Sequence, residues 1–194
     1  NIWKNNFINY DNWIGFCSYR RFWIHNDGKK IETFDDLNNS IIREPLKDWE
    51  DYEVVLGTPL VFKKIKNLKL IKRNLIEVIK KPSVLFRNNS LKDQFNIFHG
   101  SFYLKHAIEF LPQKYQKPFS EYLDGFNLNP YNMFICRNTK ILNQFYDEIF
   151  PWLFKCEEIF KNNKLDGYDK KRIYGFLAER FMPFWFKKNY RTTT

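Results

Sequence analysis

Two periods of apolar residues run along this chain. A compact apolar run over residues 13–19, with Trp13, Ile14, Phe16 and Cys17, predicts a β-strand. Residues 52–56 read as a second strand, closed by Gly57, Thr58 and Pro59, and residues 131–136 as a third. Between them, residues 33–43 suit a short helix and residues 91–111 hold one or two helices that end at Pro112. Asn26, Asp27 and Gly28 mark a turn, and residues 118–130 read as a loop around a short helix. Thr139 is the expected cap of the next helix, where Leu142, Phe145, Tyr146 and Ile149 follow helical spacing. Pro151 is expected to kink or restart it before residues 152–160. The last helix is expected from Asp169, with Ile173, Phe176, Leu177, Phe181 and Phe184 as its apolar stripe. Strands alternating with helices, without internal repeats, indicate an α/β or α+β layer architecture.

Length and charge narrow this picture. The 194 residues suit one domain with a sizeable core, taken as a single unit over 1–194. The net charge of +10 is uneven: residues 63–81 hold eight Lys and Arg against the single acid Glu77, whereas residues 27–53 are acid-rich. Such a basic face suits an anionic partner (nucleic acid, a membrane surface or a phosphorylated substrate) or is a solvated lysine-rich segment, helical or partly disordered. Cys17, Cys136 and Cys156 are widely spaced, with no CxxC; Cys17 and Cys136 read as small core residues. A disulfide framework is not indicated, which favours a reducing compartment. No apolar run is long enough for a spanning helix. The chain opens at Asn1 on what looks like the end of a helix, so the start of a longer domain is expected upstream.

Four stretches carry candidate chemistry. Tyr19, Arg20 and Arg21 end the first strand, and paired guanidinium forks there suit a phosphate or diphosphate, or else ion pairs with the acid-rich segment. Asn132 opens the third strand, placed to bond a sugar hydroxyl or its own backbone. Glu179 and Arg180 interrupt an apolar helix, as a structural ion pair or as a general base and an acceptor contact. His99, before Gly100, lines a site or binds metal, or is an ordinary core histidine. Gly-rich phosphate loops, G-x-S-x-G, H-E-x-x-H, zinc spacings and Asp-x-Asp are all absent.

Read in order, Trp3-Lys4-Asn5, Ile14 through Phe22, Asn132-Met133-Phe134-Ile135 and Arg172 through Arg180 resemble a bacterial family across nearly the whole chain. That family is the domain of formerly unknown function found in capsular polysaccharide and O-antigen gene clusters, in the GT-A glycosyltransferase clan. Ser18 stands where the family usually has His, which puts any role of that His in doubt here; the arginine pair is kept.

The resemblance implies a GT-A-like mixed sheet flanked by helices, with the family's first βα units upstream of Asn1. It implies transfer of a sugar from a nucleotide-diphosphate sugar to a saccharide acceptor, lipid-linked in capsule or O-antigen synthesis. Tyr19, Arg20 and Arg21 would then hold the diphosphate, replacing or supplementing Mn2+ or Mg2+, whose ligands the sequence does not name. Glu179 and Asp124 are the candidate bases, and His99, Asn132 and Arg180 the candidate acceptor contacts. No organic cofactor and no nucleic-acid partner is expected. A cytoplasmic protein is implied, with residues 181–191 either an interfacial segment at the inner leaflet or a core helix with a solvated tail. The alternative from another class is a non-catalytic basic module, or a degenerate scaffold, for anionic glycan or nucleic acid.

Overall fold

The structure is a computed structural model and describes residues 12–25, 28, 30–61, 79, 89–162 and 171–194. The strands are β1 (Ile14–Phe16), β2 (Val54–Leu56), β3 (Leu60–Val61), β4 (Asn127–Leu128), β5 (Phe134–Cys136) and β6 (Thr192–Thr193). The helices are α1 (Phe34–Ser40), α2 (Leu91–His99), α3 (Ser101–Glu109), α4 (Gln113–Leu123), α5 (Thr139–Phe160) and α6 (Ile173–Asn189). A four-stranded sheet runs in the order β1-β5-β2-β6, and β3 pairs with β4 in a small separate ladder. β5 is antiparallel to both β1 and β2, while β6 is parallel to β2, so the sheet is mixed. The expected mixed sheet flanked by helices is therefore present.

Strand periodicity sorts the side chains. Val54, Leu56, Phe134 and Cys136 face the main core, while Val55 and Ile135 face a smaller one with Trp49, Trp13, Trp23, Ile42 and Leu46. Helices α2 to α6 fill the main side, and the aromatic excess of the chain is spent there. Phe119 meets Phe181 at 5.5 Å between ring centroids, Trp152 meets Phe181 at 4.9 Å, and Phe134 meets Phe186 at 4.8 Å. Thr33 caps α1 through a reciprocal pair with Asp36. The Thr33 hydroxyl and nearby backbone N–H groups hold the Asp36 carboxyl below its usual range. The expected 91–111 block is two helices because Gly100, at φ 97°, breaks it with a conformation costly to any side chain.

Several expectations are corrected. Pro118 lies inside α4 rather than in a loop, because Tyr115, Phe119 and Leu123 recur every four residues and all are buried. Pro151 does not restart α5, which continues through it to bury Trp152, Cys156 and Phe160. Asn138, not Thr139, is the cap of α5: its extended backbone lets the side chain accept from Ile141 N–H at 3.1 Å. Cys17 is exposed beyond the end of a strand shorter than expected, whereas Cys136 and Cys156 are buried; all three are free. Phe181 to Phe186 are all buried, so this stretch is core and not an interfacial face. Among the described residues no helix is long and apolar enough to cross a membrane. The expectations for residues 3–5, 63–78, Asn26, Asp27 and Asp169 fall outside the described residues.

Candidate functional site at the sheet edge

The register of the sheet creates the site. Phe16 and Leu56, the last residues of β1 and β2, both lie opposite Phe134, the first residue of β5. The carboxyl ends of β1 and β2 thus meet the amino end of β5 at one edge, the position where open α/β sheets take ligands. The turn after β1, the turn before β5 and the first half of α6 converge there.

The turn after β1 is closed by Arg21 N–H donating to Ser18 O at 3.0 Å. It holds Arg20 at φ 62°, and the turn before β5 holds Tyr131 at φ 73° and Asn132 at φ 54°. Among the described residues these are the non-glycine residues with positive φ, and all three sit at this edge. Such conformations cost on the order of 1–3 kcal/mol each and gather where a fold is shaped for function. The Arg20 guanidinium lies 4.7 Å from the Tyr19 ring centroid and that of Arg21 lies 4.3 Å from the Tyr131 ring. Both arginines are exposed, and among the described residues neither has a carboxylate within ion-pair distance. Among the described residues of the acid-rich segment, none supplies the structural ion pairs that were the other reading of these arginines.

Residues of α6 hold the second turn. Glu179 Oε1 accepts from Tyr131 N–H at 2.6 Å, and Asn132 Nδ2 donates to Gly175 O at 3.3 Å. Glu179 is half-buried, and its second oxygen has no hydrogen bond among the described residues. Asn132 makes the backbone contact that was one of its two sequence readings, while remaining exposed. Further along, buried Asn129 donates to Gly57 O at 2.6 Å and accepts from Lys187 Nζ at 2.7 Å, tying the end of β2 to α6. Burial holds the Lys187 ammonium below its usual pKa.

Arg180 points the other way. It is 5 % exposed, donates from Nη1 to Phe176 O at 3.1 Å, and lies 5.1 Å from the Phe95 ring centroid. Its Nε has no hydrogen-bond partner among the described residues. Desolvation brings its pKa down to about 10, opposed by the charge of Glu179 and by Tyr122. The buried Tyr122 hydroxyl is in turn pushed up by desolvation. His99, 4 % exposed, is packed between Phe95 and Phe176, each at 4.6 Å. Asp124 is exposed at the end of α4, facing Lys92 Nζ at 3.9 Å.

The structure therefore brings Tyr19, Arg20, Arg21, Asn132 and Glu179 together. His99 and Arg180 lie within the packing of α2 against α6, and no described contact joins Asp124 to the arginines. Sequence reasoning missed Tyr131 as the seat of Arg21 and the donor to Glu179; its place beside Asn132 was the available signal. Nothing in the sequence signalled the Asn129 latch. Among the described residues no three His, Cys, Asp or Glu side chains gather as a metal site.

No curated protein matches the chain. The fold is similar to the apo structure of the bifunctional glycosyltransferase WbbM, with a TM-score of 0.66 and 16 % identity, over 99 % of this chain. The chain spans about a third (34 %) of that structure's length. Residues 1–190 match the family described as a domain of unknown function (DUF4422), and the chain belongs to that family.

Proposed function

We propose that this chain is a glycosyltransferase domain that moves a sugar from a nucleotide-diphosphate sugar to a saccharide acceptor, in the synthesis of a capsular or O-antigen polysaccharide. The observation that carries the reading is the convergence of two exposed arginines, free of carboxylate partners among the described residues, with Glu179 at the carboxyl edge of the sheet. The fold likeness to a glycosyltransferase supports it.

In this reading Arg20 and Arg21 bind the diphosphate and take up the negative charge that grows on it as the sugar–oxygen bond breaks. Their stacking on Tyr19 and Tyr131 fixes the guanidinium planes before the ligand arrives. Glu179 is preferred to Asp124 as the base. Tyr131 N–H fixes one oxygen, leaving the other to take the acceptor hydroxyl proton in an inverting transfer. The acceptor oxygen then bonds to the anomeric carbon, and the nucleoside diphosphate leaves with the bonding pair. Asn132 contacts the acceptor. Buried His99 and Arg180 act from behind, holding α2 and α6 so that Glu179 keeps its place. A lipid-linked acceptor would place the domain at the inner leaflet of a bacterial membrane.

A thermal-shift screen against uridine and guanosine diphosphate sugars, with and without manganese, tests this. Saturating donor raises the melting temperature, since a ligand that binds only the folded state stabilises it. The absence of a shift with every donor, in folded protein, contradicts the reading.

A further inference from the structure

Tyr19 is 81 % exposed, held outward by a turn whose next residue is locked at positive φ. One face of its ring is covered by the Arg20 guanidinium at 4.7 Å. Phe22, 49 % exposed, follows the arginines. Tyr131 is differently employed: its ring seats Arg21 and its N–H is bound to Glu179. The edge therefore presents one anchored tyrosine and one open one, each with a guanidinium against it.

A ligand that matches both features has a flat ring and a polyanionic group attached to it. From this we propose that Tyr19 is the nucleobase platform of the site. The base lies on the face of the Tyr19 ring opposite Arg20, and its diphosphate turns in toward Arg20 and Arg21. Stacking of this kind accepts any base, because every base has a π face, so Tyr19 supplies affinity for a nucleotide over a bare phosphate rather than a choice between bases. The inference rests on the nucleotide-sugar reading above and goes beyond it in dividing the site into a stacking part and an anion part.

Calorimetric titration of the whole chain with UDP, GDP and inorganic pyrophosphate separates the two parts. The wild type binds at least one nucleoside diphosphate more tightly than pyrophosphate. Tyr19→Ala weakens that nucleotide about tenfold more than it weakens pyrophosphate, the scale of one aromatic–base stack, and any loss for pyrophosphate reflects only the freed Arg20 guanidinium. Tyr19→Phe keeps wild-type affinity, and Arg21→Ala weakens both ligands. Tyr19 is exposed, so the melting temperature of Tyr19→Ala stays near wild type and confirms its fold. Unchanged nucleotide affinity in Tyr19→Ala, with loss in Arg21→Ala, overturns the platform and leaves the donor site standing. Equal weakening of both ligands by Tyr19→Ala makes Tyr19 only a seat for Arg20 and also overturns it. If Arg21→Ala changes neither ligand, the donor-site reading itself fails. Binding of oligouridylate without binding of any nucleoside diphosphate contradicts both.

Discussion

The sheet edge and the groove where α4, α5 and α6 meet are both lined by cations and tyrosines, yet they are built to opposite ends. The groove is a pocket of about 530 Å³. Lys114 Nζ lies 2.7 Å from Glu148 Oε1, and the Tyr115 hydroxyl donates to the same oxygen at 3.2 Å. Trp185 Nε1 donates to that hydroxyl at 3.1 Å, and the Tyr190 hydroxyl bonds Gln144. These polar groups are satisfied by one another. At the edge, Arg20 and Arg21 rest on tyrosine rings with no carboxylate neighbour among the described residues. Guanidinium groups held on aromatic rings without a carboxylate partner among the described residues therefore carry the proposed reading, and pocket volume does not. A guanidinium against an aromatic face is held in place while its N–H donors stay available to an anion.

Substitutions can break this comparison, and the largest effect is expected at Glu179. Glu179→Gln keeps a group able to accept from Tyr131 N–H but cannot take a proton. Transfer measured at saturating donor should fall about 10²- to 10⁴-fold while the melting curve hardly moves. Collapse of the melting curve would make Glu179 a structural prop.

Phe181 tests the packing that carries the edge. It is fully buried against Phe119 and Trp152. Phe181→Ala should cost about 3–5 kcal/mol in chemical denaturation, a loss that threatens the whole fold. A cost below 1 kcal/mol would mean that the aromatic core repacks freely. Lys114→Ala should cost at most about 1 kcal/mol, since the Lys114 side chain is largely exposed and Glu148 keeps the Tyr115 hydroxyl as a donor, and should leave donor binding untouched.

The cysteines and pH give the smallest signal. Burial pushes the Cys136 and Cys156 thiols up to about 12, from 9.0 in an ordinary thiol. At pH 8 a thiol reagent should label exposed Cys17 and spare the other two in the folded chain. Above about pH 9 the unfolded thiols ionise while the buried ones stay protonated, so their contribution to stability falls as pH rises. The raised Tyr122 and Tyr146 hydroxyls act the same way, and with the thiols they outnumber the opposing Arg180 and Lys187, whose burial favours their neutral forms. A melting temperature that climbs between pH 9 and 11 would contradict this.

How far these features were legible follows from the range of the interactions. Phe16, Val54 and Phe134 announced their strands because a buried strand needs apolar side chains at short range. The arginine pair, Asn132 and Glu179 were visible as polar interruptions of apolar runs. The helical prolines misled, because Pro118 and Pro151 break local hydrogen bonding while the stripes around them bury far more than that loses. Arg180 and His99 looked like site residues, yet the faces of α6 and α2 that carry them turn inward. Only the packing of those two helices decides that, and it depends on residues about eighty positions apart.

The most direct test of the central claim compares Arg21→Ala with Lys114→Ala in thermal shift with the best-binding nucleotide-diphosphate sugar. The account predicts that the shift is lost in Arg21→Ala and retained in Lys114→Ala, both variants melting near the wild type without ligand. A full shift in Arg21→Ala would contradict it and remove the sheet edge as the donor site.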